Sequence, residues 1–134
     1  MQVRAMLMLP PILIASAISL PSFADGDVTT SNTRAKAEDF DATLTIPCAQ
    51  EVGETAGACD AAVARDAQGG ATVVVTFANG FSRILTFADG AFLRGNATMS
   101  GVGIDTEWSL SDGTYSIRVD DQRFILPETF VTGQ

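Results

Sequence analysis

Apolar and polar residues alternate with a period of two along most of this chain, and that period sets the elements. From Phe40 to Ile46, Phe40, Ala42, Leu44 and Ile46 fall on one side and Asp41, Thr43 and Thr45 on the other, as in a half-buried strand. Pro47 is expected to end it, because proline has no N–H to give to a ladder. A weaker strand runs from Ala58 to Asp66 through Ala62, Val63 and Ala64, and Gln68-Gly69-Gly70 turns it into the stretch Thr72 to Arg94. There the pentad Thr-Phe-Ala-Asn/Asp-Gly occurs twice, ten residues apart. Asn79-Gly80 and Asp89-Gly90 tolerate positive φ at both central positions of a type I′ turn, so the stretch predicts two hairpins and three strands.

Two-residue loops at both turns set Val75 opposite Ile84 and Thr76 opposite Arg83. One face then carries Val73, Val75, Phe77, Ile84 and Leu93. The other carries Val74, Phe81, Leu85, Phe87 and Phe92 together with Arg83 and Arg94. A third hairpin turns at Asp112-Gly113, with Leu110 opposite Tyr115, Trp108 opposite Ile117 and Thr106 opposite Val119 on an apolar face. Glu107 faces Arg118, and Ser109 faces Ser116, on a polar one. A turn at Asp120-Asp121 adds Phe124 and Leu126 to the apolar face and sets Arg123 beside Arg118. Pro127 closes that strand, and Phe130-Val131 reads as a short edge strand. The prediction is an all-β fold, a small antiparallel meander of about eight short strands closing as a barrel or a sandwich. Its core is expected around Trp108, Tyr115, Ile117, Phe124, Val75 and Ile84.

The ends of the chain change the picture of what folds. Residues 1–24 read as a secretory signal: Arg4 supplies the positive start, Met6 to Leu20 is apolar apart from Ser16 and Ser19, and Ser22-Phe23-Ala24 offers a cleavage site. A retained membrane anchor is the alternative, but Pro10-Pro11 interrupts the run and its apolar part is shorter than the roughly 20 residues a spanning helix needs. Residues 25–39 hold Val28 as their one sizeable apolar side chain and read as a flexible polar segment. Residues 40–134 are then the single domain.

Without Arg4, seven Lys and Arg face sixteen Asp and Glu, a side-chain charge of minus nine. That sign argues against nucleic acid, whose phosphates need clustered cations, and against docking on anionic lipid. It suits either solubility or a basic partner. Both cysteines, Cys48 and Cys59, lie in the exported portion. An oxidising compartment favours a disulfide between them; two free thiols or a metal pair are the alternatives, and the chain has no histidine to complete a zinc site. Asn96-Ala97-Thr98 fits a glycosylation sequon but reads as ordinary loop.

Phe40-Asp41-Ala42-Thr43 leads to Ile46-Pro47-Cys48, and the second cysteine, Val63-Ala64-Arg65 and Ala71 to Thr76 follow. With Tyr115, Ile117, Val119, Arg123-Phe124 and Pro127-Glu128, these segments resemble an uncharacterised family of small exported alphaproteobacterial proteins with one cysteine pair. The carboxyl end departs from it, with Thr132-Gly133-Gln134 where the family has Gly-Gly. The resemblance implies a periplasmic or secreted domain and no particular chemistry.

Catalytic signals are sparse. With no histidine, a serine or threonine nucleophile would have to be activated by lysine, aspartate or glutamate, and the single lysine, Lys36, lies in the flexible polar segment. Asp105 and Glu107 could work as paired carboxylates, but Arg118 opposite Glu107 makes a structural ion pair the simpler reading. Asp25-Gly26-Asp27 and Asp120-Asp121 are too sparse for a calcium loop, and the glycines do not form a phosphate loop. The candidate binding residues are Arg83, Arg94, Phe81, Phe87 and Phe92: two guanidiniums among rings could receive a small anion or carboxylate, or simply lie over the aromatic faces. The sequence thus predicts a non-catalytic periplasmic binding module without cofactor or metal, whose partner is a basic protein or envelope component. An inhibitor of a basic hydrolase such as lysozyme, or a structural or stress-related envelope protein with no discrete site, is the alternative.

Overall fold

The computed structural model describes residues 28–95 and 105–134. The expected signal segment and the Asn96 sequon lie outside them. Eight strands form one antiparallel sheet: β1 Ala42–Ala49, β2 Gly57–Arg65, β3 Gly70–Thr76, β4 Ser82–Ala88, β5 Ala91–Gly95, β6 Thr106–Ser111, β7 Thr114–Val119 and β8 Gln122–Pro127. Two short helices flank it, α1 Val28–Lys36 and α2 Glu128–Thr132. The strand order is β5-β4-β3-β2-β1-β8-β7-β6, two meanders joined where β1 meets β8. The all-β expectation holds, and the sheet curls into a nearly closed barrel.

Side chains fill the interior. Tyr115, Phe87, Phe124, Leu85, Leu126, Val63, Val73 and Val75 are all fully buried, as expected for an eight-stranded barrel, whose bore is about as wide as the side chains that line it. Helix α2 plugs one end with Phe130 and Val131. Arg65 holds that plug, donating to the carbonyls of Phe130 at 2.8 Å and Val131 at 3.3 Å. The edge strand expected at Phe130-Val131 is therefore a helix. Pro127 starts it, and Gly133, at φ 80°, ends it by donating its N–H to the Thr129 carbonyl. At the other end Phe77 packs on Phe124, with ring centroids 5.6 Å apart. Arg123 reaches over to the carbonyls of Glu51 and Glu54 there, and the Cys48–Cys59 disulfide ties β1 to β2 beneath the same loop.

Further expectations are corrected along the chain. Strand β1 continues through Pro47 to Ala49. It pairs with β8 only at Cys48 and Ala49, so one flank of β1 has no ladder there for proline to interrupt. The Asn79-Gly80 hairpin closes with three residues, Ala78 to Gly80: Phe77 N–H meets the Phe81 carbonyl, and only Gly80 has positive φ. Val75 consequently faces Arg83, and Val74 faces Ile84. That one-residue slip exchanges the faces of β4 relative to β3. In the next hairpin the Asp89-Gly90 turn is as expected, but a bulge follows: Phe87 pairs with Phe92 while Thr86 pairs with Arg94, leaving Leu93 as the extra residue. Finally, the polar segment includes a docked helix. Ser31 Oγ lies 2.7 Å from Thr72 Oγ1, which also donates to Asn32 Oδ1. Arg34 bonds Asp39, Asp41 and the Arg65 carbonyl.

Candidate functional site

The expected face of Arg83, Arg94, Phe81, Phe87 and Phe92 is not brought together. Arg83 points into the barrel with Leu85 and Phe87, is buried, and donates Nε to Gln122 Oε1 at 2.7 Å. Burial lowers its basicity, opposed by the charge of Asp120. Phe87 and Phe92 are core, their rings 5.6 Å apart and edge-to-face. Phe81 is 45% exposed at the barrel end, with the Arg83 guanidinium carbon 5.9 Å from its ring centre. The Leu93 bulge rotates Arg94 to the outside, where it is exposed.

A different site forms where the barrel does not close. Among the described residues β5 and β6 end the strand order, so their outer edges carry no ladder. The two sides approach at Gly95, where a Cβ would stand only 2.9 Å from Val119 Cγ1. The registers of β6 with β7 and of β7 with β8 are as the sequence predicts, Trp108 facing Ile117 and Leu110 facing Tyr115. Trp108 and Leu110 thus share the inner face. The expectation that Trp108 lies in the core is nevertheless corrected: it is 42% exposed and Leu110 39%, and among the described residues no strand pairs with β6 on that side. Ile84, also expected in the core, points outward.

An aromatic row supports this open edge from below. Phe87 lies 5.1 Å from Tyr115, and Tyr115 lies 6.1 Å from Trp108. The Tyr115 hydroxyl donates to the Gly90 carbonyl across the barrel, and burial raises its pKa, with the nearby charge of Glu128 adding to the shift. On the outer face Arg118 bridges Asp105 and Glu107 at 3.3 and 3.4 Å and also reaches the Asp120 carbonyl. Its side-chain bond to Asp105 raises its basicity further. Asp105 and Asp120 exchange further bonds, Asp120 N–H to the Asp105 carbonyl and Asp105 N–H to Asp120 Oδ1. The start of β6 is therefore pinned, and its free edge is a fixed template. Asp105, Glu107 and Asp112 make its surroundings acidic.

A second concavity, about 450 Å³, opens beside α2, with Asp66, Asp89 and Glu128 at its rim. Asp66 Oδ1 accepts from the N–H groups of Gln68 and Gly70 while Oδ2 is buried without a partner. Among the described residues no group of three or more His, Cys, Asp or Glu is placed to hold a metal ion. No described helix is long and apolar enough to cross a membrane. Comparison with known proteins gives no match: no family model, no curated protein and no solved structure is similar to the chain.

Proposed function

We propose that the protein is a non-catalytic periplasmic binding module that takes an extended, basic segment of a partner protein onto the free edge of β6. The observation that carries this reading is the half-exposure of Trp108 and Leu110 on the inner face, beside an edge without a ladder among the described residues. An added strand would satisfy that edge through main-chain hydrogen bonds, while its alternate side chains meet opposite faces. The inward set would be apolar, covering Trp108 and Leu110. The outward set would be basic, meeting Glu107 and the neighbouring Asp105 and Asp112. The disulfide fits an oxidising compartment.

Trp108 is the single tryptophan of the chain, so its fluorescence reports on this edge alone. A peptide alternating lysine and valine should shift its emission to the blue and bind more weakly as salt rises. The same peptide with glutamate for lysine should not bind, and Trp108→Ala should abolish uptake, read by calorimetry. Equal binding of both peptides, or none, would overturn the reading and leave a structural envelope protein with no discrete site. A basic hydrolase such as lysozyme is the partner with a catalytic readout, expected as inhibition at low ionic strength that fades with salt.

A further inference from the structure

A second site, on the opposite flank of the sheet, follows from asking what each cation of this acidic chain does. Seven Lys and Arg lie among the described residues. Five are engaged: Arg34 with Asp39 and Asp41, Arg65 with the end of α2, Arg83 with Gln122, Arg118 with Asp105 and Glu107, and Arg123 with the loop carbonyls. The remaining two, Lys36 and Arg94, are exposed and make no hydrogen bond or ion pair among the described residues. Both line one groove of about 310 Å³ between α1 and the outer face of β3 and β4.

The groove has a built floor. Thr86 pairs with Arg94 on one side and Thr72 on the other, and Ile84 pairs with Val74 in the adjoining row. Helix α1 sits over Thr72 through Ser31 and Asn32, which leaves Val74 and Ile84 half-buried beside it. The groove is continuous with a larger one of about 790 Å³, since both are lined by Ala35, Lys36, Val74 and Ile84. The larger part is also lined by Ala62, Leu44 and Phe40, and by Glu38 and Asp60. The result is a largely apolar channel with Arg94 in the smaller part, Lys36 where the two parts meet, and Glu38 and Asp60 in the larger part.

We propose that this channel binds a single fatty-acid carboxylate, its head between Lys36 and Arg94 and its alkyl chain along Val74, Ala62 and Leu44. The arginine fork matches a carboxylate in two parallel hydrogen bonds, and the lysine adds a point charge. Glu38 and Asp60 oppose a second anionic group at the tail, and the acidic field of the whole chain opposes a dianion at the head. The ligand is therefore a monoanion with an uncharged tail.

The probe is laurate below its micellar range, titrated into the protein by calorimetry, with amide shifts followed by NMR. Saturable binding is expected, with shifts at Val74, Ile84 and Arg94. Dodecanol and dodecyltrimethylammonium, which keep the tail and lose or reverse the charge, should each bind at least about tenfold more weakly, the worth of one charge-assisted contact. Lys36→Ser with Arg94→Ser should cause a similar loss. Both residues are exposed, and an unchanged circular dichroism spectrum separates that loss from unfolding. Equal affinity for the alcohol or the ammonium, an unaffected double variant, shifts confined to the Trp108 edge, or binding only to phosphatidylglycerol vesicles would each overturn the proposal.

Discussion

Tyr115 carries the one phenol of the chain into the barrel, where its hydroxyl donates to the Gly90 carbonyl and its ring is fully covered. Burial favours the neutral phenol, so the folded pKa lies above the unfolded value. The resulting stability is present in full below about pH 10, the unfolded value, and is lost as pH rises through the folded one. Alkaline titration followed by phenolate absorbance should thus show ionisation coinciding with loss of the β-sheet signal. Tyr115→Phe should remove the alkaline step and cost about 1–2 kcal/mol in urea denaturation through the unpaired carbonyl. Single residues also decided what the sequence could reveal. Asp89-Gly90 and Asp112-Gly113 have positive φ at both positions, and the hairpins they turn begin in the register read from them. At Asn79-Gly80 the same dipeptide signal misleads. Asn79 Oδ1 accepts from Phe81 N–H instead of the residue adopting positive φ, and the three-residue loop turns Arg83 inward. Nothing in Phe92-Leu93-Arg94 announces the bulge that turns Arg94 outward, since any of these side chains suits either face.

At the level of elements, α1 was hidden because polar groups dock it. Its face on the sheet is made by Ser31 and Asn32 bonded to Thr72, so the apolar period that marks an amphipathic helix is missing. Thr72→Val should leave Ser31 without this buried partner and cost about 1–3 kcal/mol, with faster amide exchange across 28–36 as the second readout. The junction behind α1 depends on pH. Asp41 is held below the usual carboxylate range mainly by its hydrogen bond from Arg34, with the Arg65 N–H also contributing. A depressed carboxylate stabilises the fold above its unfolded pKa and ceases to do so as pH falls through the folded value. Acidification below about pH 4 should therefore loosen α1, visible as accelerated exchange there while β7 and β8 remain protected. Helix α2 was missed for a different reason: five residues are too few to show a period, although Pro127 and Gly133 bracket it.

For the molecule as a whole, the strand count, the antiparallel pairing and the inner face of β6 to β8 could be read from alternation and turn chemistry, and the disulfide from the expected oxidising compartment. The site could not, because it is a place where the barrel fails to close, and closure depends on which strands end the order. Trp108 illustrates this: its register is as predicted, while its exposure goes with β6 standing at the end of the described strand order. The disulfide closes a short loop and should contribute about 2–3 kcal/mol. Urea denaturation with and without reductant should show a loss of that size, with the β1–β2 end opening first.

The plug at α2 carries a consequence for how the molecule is made. Phe130 and Val131 belong to the core, and β8, which joins the two meanders, is the last strand of the chain. A nascent chain emerging in order therefore has every earlier strand in hand and still lacks the pieces that seal the barrel. Closure must therefore wait until β8 and α2 are available, so the first meander is formed before the barrel it belongs to can be sealed.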